Sequence, residues 1–535
     1  MSRTSFSSST HRVGAVALAA SLGASGCFFG ADGREPPQDE LVFPTAVVAS
    51  PGGTALYVAN SDFDLQYSGG TVMALDLRRL REVTTPIVTT LAAGEGQVAA
   101  CASASVTVNR TAWLTPGPCE PLLVAPFVSQ VASVGAFTSG LLLLHEPNGS
   151  HARLFAPVRG DPSITYFEVA DDRAVAPGDA IDLMLDCGQI GGDFCAAANR
   201  LGQDPDRNLR GVQLPADPVG IAATSKGDAI VAAHQTQGAA SLIVNPWDGR
   251  PELTYFSTGL STGPTELASI PEPAFVATAE ASSSSAAPFV YRRGFALTFI
   301  GTSALDVLRF VPDSGSVPPR PFIQREASVV IATNASAIDS RGIAIDDRAR
   351  RACEAGCSAL PEPLACQVAC AEEVPLHIFM ANRSPASLLL GEARVRVNRG
   401  VEGDPDRLTS ATEEILFYDS IPLSFGPSRV EIGQVVDAQG ELAARVFAVA
   451  FDTRSVFIID PDAARVEAVV RTGRGPQDVA VDVGHDAAGE AYAFLYVAHF
   501  TDSYLGVVDL DLRRPSTYGQ MFASIGIPKD PEDSN

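Results

Sequence analysis

A three-part phrase that returns along the chain constrains its fold more than any other feature. Phe43-Pro44-Thr45-Ala46-Val47-Val48 leads to a turn at Ser50-Pro51-Gly52-Gly53. Ala55-Leu56-Tyr57-Val58-Ala59-Asn60 follows, and Gly70-Thr71-Val72-Met73-Ala74-Leu75-Asp76-Leu77 completes it. Far downstream, Gly475-Pro476-Gln477-Asp478-Val479-Ala480-Val481 leads to Leu495-Tyr496-Val497-Ala498-His499 and then to Leu505-Gly506-Val507-Val508-Asp509-Leu510. Runs this short, rich in Val, Leu and Tyr and bounded by Gly, Pro or Asp, read as β-strands. Three further copies pair Pro218–Ala222 with Ala229–His234, Ser340–Ile345 with His377–Asn382, and Pro427–Ile432 with Val446–Phe451. Two are outlines: Gly96–Ala100 with Leu123–Pro126, and Pro264–Ala268 with Leu297–Gly301. That makes seven. A four-stranded sheet that is apolar on both faces cannot bury itself. Radial stacking buries each face against a neighbour and leaves only short edges exposed.

Tyr57-Val58-Ala59-Asn60 matches three of the four letters of the Tyr-Val-Thr-Asn motif that names one repeat family. The chain therefore resembles the bacterial β-propellers built from that repeat. The resemblance implies an all-β, seven-bladed β-propeller working outside the cytoplasm, here spanning residues 41–535. Extended helical periodicity is scarce. The exception is an insertion in the fifth blade, residues 348–374, where Cys353 and Cys357, and again Cys366 and Cys370, stand four apart on one helical face. Pro361-Glu362-Pro363 breaks the chain between them and turns the second helix back on the first. Outer then faces outer and inner faces inner, so the expected disulfides are Cys353–Cys370 and Cys357–Cys366. Cysteines four apart on one helix project in parallel, which is poor disulfide geometry. A zinc site on the four thiolates is the competing reading. The remaining pairs are expected to be local, Cys101 with Cys119 and Cys187 with Cys195.

The first residues read as an export signal. Arg3, His11 and Arg12 lie among Ser and Thr, Val13–Leu22 is apolar, and Gly23-Ala24-Ser25-Gly26-Cys27 follows. An apolar core this short, ending in small residues, is a cleavable leader, because a membrane span needs roughly 20 apolar residues. Ala24-Ser25-Gly26-Cys27 resembles the lipobox of bacterial lipoproteins, although that pattern prefers Leu where Ala24 stands. The resemblance implies a signal peptide over 1–26, a lipid on Cys27 and a flexible tether over 27–40. Phe28, where Asp would mark inner-membrane retention, points to an outer-membrane lipoprotein. Of the 9 cysteines, removing Cys27 leaves eight, an even number suited to an oxidising compartment. The chain carries 38 basic and 62 acidic side chains; without Arg3 and Arg12 its charge is about −26. Such a surface repels nucleic acid and anionic headgroups.

Motifs with chemistry are few. Gly259-Leu260-Ser261-Thr262-Gly263 fits a nucleophile-elbow pattern, but Pro264 and a strand follow where a helix is needed, so it reads as a turn. Asp204-Pro205-Asp206-Arg207 recurs as Asp404-Pro405-Asp406-Arg407, and Asp62 stands near Asp64. Each pair falls short of a full calcium ligand set, and Asp-Pro is ordinary turn chemistry. No catalytic residue or metal ligand is assigned, and the cofactor is unknown. One set of positions is a candidate site. The second strands end at Asn60, Pro126, His234, Gly301, Asn382, Phe451 and His499. Their polar members, Asn60, His234, Asn382 and His499, would ring one face of the propeller. The bland reading of those four is that they satisfy loop backbone.

The expected function is that of an envelope-anchored, non-enzymatic binding or scaffolding protein. It would be held to the membrane by its lipid and would bind a protein or small molecule. A propeller enzyme, lactonase-like or dependent on metal or quinone, is the alternative, and an adhesion or structural role is the third reading.

Overall fold

The computed structural model describes residues 33–529 apart from 103–116, 177–178, 180, 189–193, 203–210, 283–287, 314, 332–337 and 401–406. Cys27 and both Asp-Pro-Asp segments lie outside the described residues. Seven antiparallel sheets follow one another, so the chain is an all-β, seven-bladed β-propeller. Blades 1 to 7 span residues 44–134, 142–201, 218–257, 264–330, 338–422, 427–471 and 476–525. In six of them four strands lie side by side in chain order; blade 2 has a fifth, because two short pieces, Leu185–Asp186 and Arg200–Leu201, both pair with Ser163–Val169.

The second strands are buried from end to end in blades 1, 3 and 4, over Ala55–Asn60, Ala229–His234 and Gly294–Phe299. This is why they read as continuous apolar runs rather than as alternating ones. Each pair of neighbouring blades shares an apolar cluster. The last of them closes the ring: Leu56, Val58 and Met73 of blade 1 meet Phe494, Tyr496 and Leu505 of blade 7. Burying one such side chain contributes roughly 1.5–3 kcal/mol. No blade shares strands between the two ends of the chain, so side chains alone hold the closure inside the sheets. Outside them, Leu122 bridges Ile525.

Residues of the first strands of blades 1, 3, 4, 5, 6 and 7 line the central channel. In blades 1, 3, 4, 6 and 7 the strand opens on a proline, Pro44, Pro218, Pro264, Pro427 or Pro476, and a break in register follows. Blade 5 has the same break after Ser340. Proline lacks the amide a ladder needs, and the first strand position tolerates that loss. The bulge after it turns one or two residues out of the sheet. Gly220 and Gly342 sit in two of these bulges. A Cβ at Gly220 would lie 2.4 Å from the Thr265 carbonyl oxygen, and one at Gly342 would lie 2.7 Å from the Arg429 Cα. Neighbouring first strands thus approach as closely as backbone allows.

Three sequence expectations need correction. The second copy, at Gly96–Ala100 and Leu123–Pro126, is not a blade. Gln97–Ala102 is helix α2, and Ala125–Phe127 is a helical turn, both within an excursion between the third and fourth strands of blade 1. The true second blade begins at Leu142–His145, where the apolar run is only a few residues long. Helix α1, Leu77–Ala92, was also hidden by reading Leu77 as the end of a strand. Its signals were present: Asp76 caps it by accepting from the Arg79 amide, and Leu80, Thr84, Ile87 and Val88 make a buried face at helical spacing. Lastly, residues near the end of the expected tether rest on blade 1, with Arg34 bridged to Tyr67 and its guanidinium 5.8 Å from that ring.

The fifth-blade insertion is a helical hairpin of α4 (Arg348–Cys357) and α5 (Pro363–Glu373). Helix α3, Phe275–Ser282, packs beside it. Cys353 is bonded to Cys370 and Cys357 to Cys366, so no thiolate of the four is left for zinc. Cys101 is bonded to Cys119 and Cys187 to Cys195. Buried Arg350 fastens the hairpin to the blade through the carbonyls of Val374 and Ala393, at 3.1 and 3.2 Å.

Candidate functional site

Asn60, His234, Asn382 and His499 are at most 2% exposed, so they face the interior of their blades rather than a ligand. Each ties its strand end to nearby chain. Asn60 accepts from the Val42 amide at 3.2 Å and donates to the Thr71 hydroxyl at 2.9 Å. His234 lies 3.2 Å from the Ala216 carbonyl through Nδ1 and 2.8 Å from the Ser241 hydroxyl through Nε2. Asn382 donates to the Pro385 carbonyl at 2.6 Å. His499 accepts from the Gly473 amide at 3.2 Å and stacks on Tyr504, with ring centroids 4.1 Å apart. Pro126 belongs to no blade's second strand, and Gly301 lies just beyond the one that ends at Phe299.

Burial lowers the pKa of both imidazoles, to about 4 for His234 and about 3 for His499. The unfolded chain therefore binds more protons than the folded one below pH ~6.5, and stability falls as the pH drops from there toward 4. Asp62, Glu431 and Asp482, whose carboxyls burial raises to about 7, 7 and 6, push the other way. A difference between two proteins isolates the histidine. His234→Gln is expected to flatten the loss between pH 6.5 and 4.5 by about 2 kcal/mol, read from urea midpoints at both pH values. Equal slopes for the two proteins would mean that His234 is already protonated in the fold.

The residues that do face the channel lie one position on, because successive strand side chains alternate sides. Ser61, Gln235, Arg383 and Phe500 follow Asn60, His234, Asn382 and His499, and Phe451 follows the last residue of its strand. With the bulged residues of the first strands, Thr45, Val219, Thr265, Glu266, Arg341, Ser428 and Gln477, they wall a cavity of about 360 Å³ at one mouth of the channel. Four arginines from three blades, the second, fifth and sixth, converge there. Arg159 pairs with Asp217, Arg341 with Asp339, Arg383 with Asp452, and Arg429 with Glu266 and, at 3.0 Å, Asp478. Asp217 and Asp339 hold left-handed backbone, φ 63° and 73°, which Asp tolerates better than most residues.

One sector of the wall is aromatic. Phe63, over half exposed, lies 5.1 Å from Phe500 and 5.8 Å from Phe137, ring centre to ring centre. Its loop is held by the neighbouring acids. Asp62 accepts from the Tyr67 amide at 3.1 Å, and Asp64 accepts from the Gln66 amide at 3.4 Å. The mouth thus offers paired guanidinium–carboxylate groups, several hydroxyls and amides, and a face of rings. Residues of this kind hold a polar ligand with an apolar or ring face.

Beneath the mouth the charges tighten. Burial works against the charge on Arg429, but Asp478 and then Glu266 outweigh it and hold the guanidinium firmly protonated. Burial also raises the carboxyls of Glu266 and Asp478, against the pull of Arg429. The Asp478 carboxylate accepts the Val47 amide at 3.0 Å as well, which ties blade 7 to blade 1. Gly259–Gly263 lies between the strands Glu252–Ser257 and Pro264–Ile270, with no helix after it, in keeping with a turn.

No protein-family model matches the sequence, and no curated protein matches it. Solved structures give distant likenesses. A hydrazine synthase chain from Kuenenia stuttgartiensis is 12% identical, with 91% of this chain and 100% of that one covered, at a TM-score of 0.43. A putative 6-phosphogluconolactonase from Bacteroides fragilis is 12% identical over 81% and 86% of the two chains, at 0.38. The periplasmic gluconolactonase of Pseudomonas aeruginosa is 12% identical over 81% and 85%, at 0.37. At these scores the likenesses decide nothing about what the chain binds or does.

Proposed function

We propose that this chain is an envelope-anchored binding protein, tethered by a lipid on Cys27, that takes its partner at the mouth of the propeller channel. The observation that carries the binding role is the convergence of Arg159, Arg341, Arg383 and Arg429 beside Phe63, Phe137, Phe451 and Phe500 around one cavity. Each arginine is oriented by a carboxylate, so its remaining N–H groups point in fixed directions, as recognition of a polar ligand requires. The anchor rests on the sequence alone.

Two measurements test the two halves. Cys27→Ser is expected to abolish acyl labelling and release the protein from membranes; a protein that still pellets after a high-salt wash has another anchor. Native mass spectrometry of detergent-extracted protein is expected to show a bound small molecule or protein that is lost from Arg383→Ala/Phe500→Ala. Equal occupancy in the double variant would move the site elsewhere.

An enzymatic reading has one observation in its favour. Glu266, Asp478 and Glu431 are carboxyls raised by burial beside a cavity, and such groups serve in proton transfer. Loss of a measured turnover in Asp478→Asn with ligand binding retained would favour it over simple binding.

A further inference from the structure

Below Arg429 and Asp478, which face both compartments, the channel widens into a second chamber of about 410 Å³. Its walls differ from those of the mouth. Val47, Val48 and Ala49 of blade 1, Ile432 of blade 6, and Val479 and Val481 of blade 7 give it an aliphatic sector in place of rings, beside an about equal share of polar surface. Gly433 lets the first strands of blades 6 and 7 meet there, since a Cβ would lie 2.5 Å from the Val481 side chain.

Three charged side chains besides Asp478 line this chamber, and two of them are engaged. Arg429 is spent on Glu266 and Asp478. Arg348, the first residue of α4, is held by both oxygens of Asp346, at 2.9 and 2.6 Å. The third is Glu431. It projects from Pro427–Val436 two residues beyond Arg429, on the same side of the strand, and its surface is open to the chamber. It has no hydrogen-bond or ion-pair partner among the described residues.

We propose that this chamber is a second binding site, distinct from the mouth, for a small organic cation: an ammonium group on Glu431 with its hydrocarbon body against the valine wall. The charge balance favours a cation. Glu266, Asp478 and Glu431 outnumber Arg429, and Arg348 is neutralised by Asp346. Depth in the molecule raises the Glu431 carboxyl to about 7, opposed by Arg429 and helped by Asp478 and Glu266. Glu431 thus presents to the open chamber a carboxyl with no hydrogen bond or ion pair among the described residues, a place that an ammonium can fill. An anion would meet the same carboxylates as repulsion, and a neutral apolar molecule would leave Glu431 unpaired.

The test uses the exported chain and three probes of one shape: cyclohexylammonium, cyclohexanol and cyclohexanecarboxylate, followed by calorimetry at pH 8. Cyclohexylammonium is expected to bind at least tenfold more tightly than the other two. Glu431→Gln is expected to remove that preference, with the thermal midpoint within a few degrees of the parent. Val483→Phe, which fills the chamber from another blade and leaves Glu431 in place, is expected to lower affinity tenfold or more. Arg383→Ala, at the mouth, should leave cyclohexylammonium binding unchanged, so failure of this site and failure of the mouth are distinguishable. Equal affinity for the three probes, binding undiminished by Glu431→Gln or Val483→Phe, or no binding at millimolar concentration would each overturn the proposal.

Discussion

Arg429→Met is expected to destabilise the protein by about 3–5 kcal/mol, the usual cost of removing one partner from a buried ion pair. Arg429 is the only cation in contact with Glu266 and Asp478 among the described residues, and those two side chains are 14% and 8% exposed. Methionine fills most of the space, so the loss is electrostatic: two buried carboxylates, with Glu431 nearby, face one another without a counter-charge. Two consequences distinguish this account from a packing defect. Adding Glu266→Gln to Arg429→Met should recover part of the loss, because one uncompensated charge disappears. The deficit should also be smaller at pH 5 than at pH 8. Carboxyls raised in the fold take up protons there before the unfolded chain does, which favours the folded state as the pH falls. Urea unfolding of the three proteins at both pH values checks this. A deficit independent of pH and unrelieved by Glu266→Gln would contradict it.

Arg309→Met is expected to cost a similar amount, about 3–5 kcal/mol, at the outer edge of the ring rather than at its centre. The Arg309 side chain is 2% exposed and donates at 2.6 Å both to Glu326 of its own blade and to Glu413 of blade 5. Glu413 is fully buried and also accepts the Tyr291 hydroxyl at 2.6 Å. Burial opposes the charge of Arg309, but Glu413 and Glu326 more than restore it, and burial together with Glu413 raises the Tyr291 phenol. Without the arginine, Glu413 keeps one neutral donor and no direct ion pair, with Arg350 acting on it only from beyond contact distance. Glu326 is 37% exposed and can turn to water, so the penalty should fall on Glu413. Glu413→Gln in the Arg309→Met background should therefore relieve more of the loss than Glu326→Gln. Equal relief from both, measured by urea midpoints, would show that the pair at Glu413 is not the dominant one.

The histidines and asparagines of the expected ring show how near sequence reasoning came to the site. A strand alternates its side chains, so an error of one residue exchanges the interior of a blade for the channel. Asn60, His234 and His499 mark the correct strand ends and Asn382 falls two residues short of its own, yet Ser61, Gln235, Arg383 and Phe500 are the residues that reach the cavity. The prolines opening the first strands were visible as anchors of the repeat. That the residues after them bulge into the channel follows from register, which a single strand does not reveal.

The sequence by itself determined the repeated strand phrase of six of the seven blades and the partners of the eight cysteines in the propeller, because these depend on local pattern, short-range turns and helical spacing. The export signal and lipid anchor expected of residues 1–27 rest on that sequence pattern alone. Tertiary structure alone decided the position of the second blade, whose strands lack the motif and are recognised only by what they pair with. It alone assembled Glu266, Arg429, Glu431 and Asp478, which come from three blades and lie up to 212 positions apart. Their meaning rests on which charges share one low-dielectric space. That is fixed by the closure of the ring and is written in no single blade.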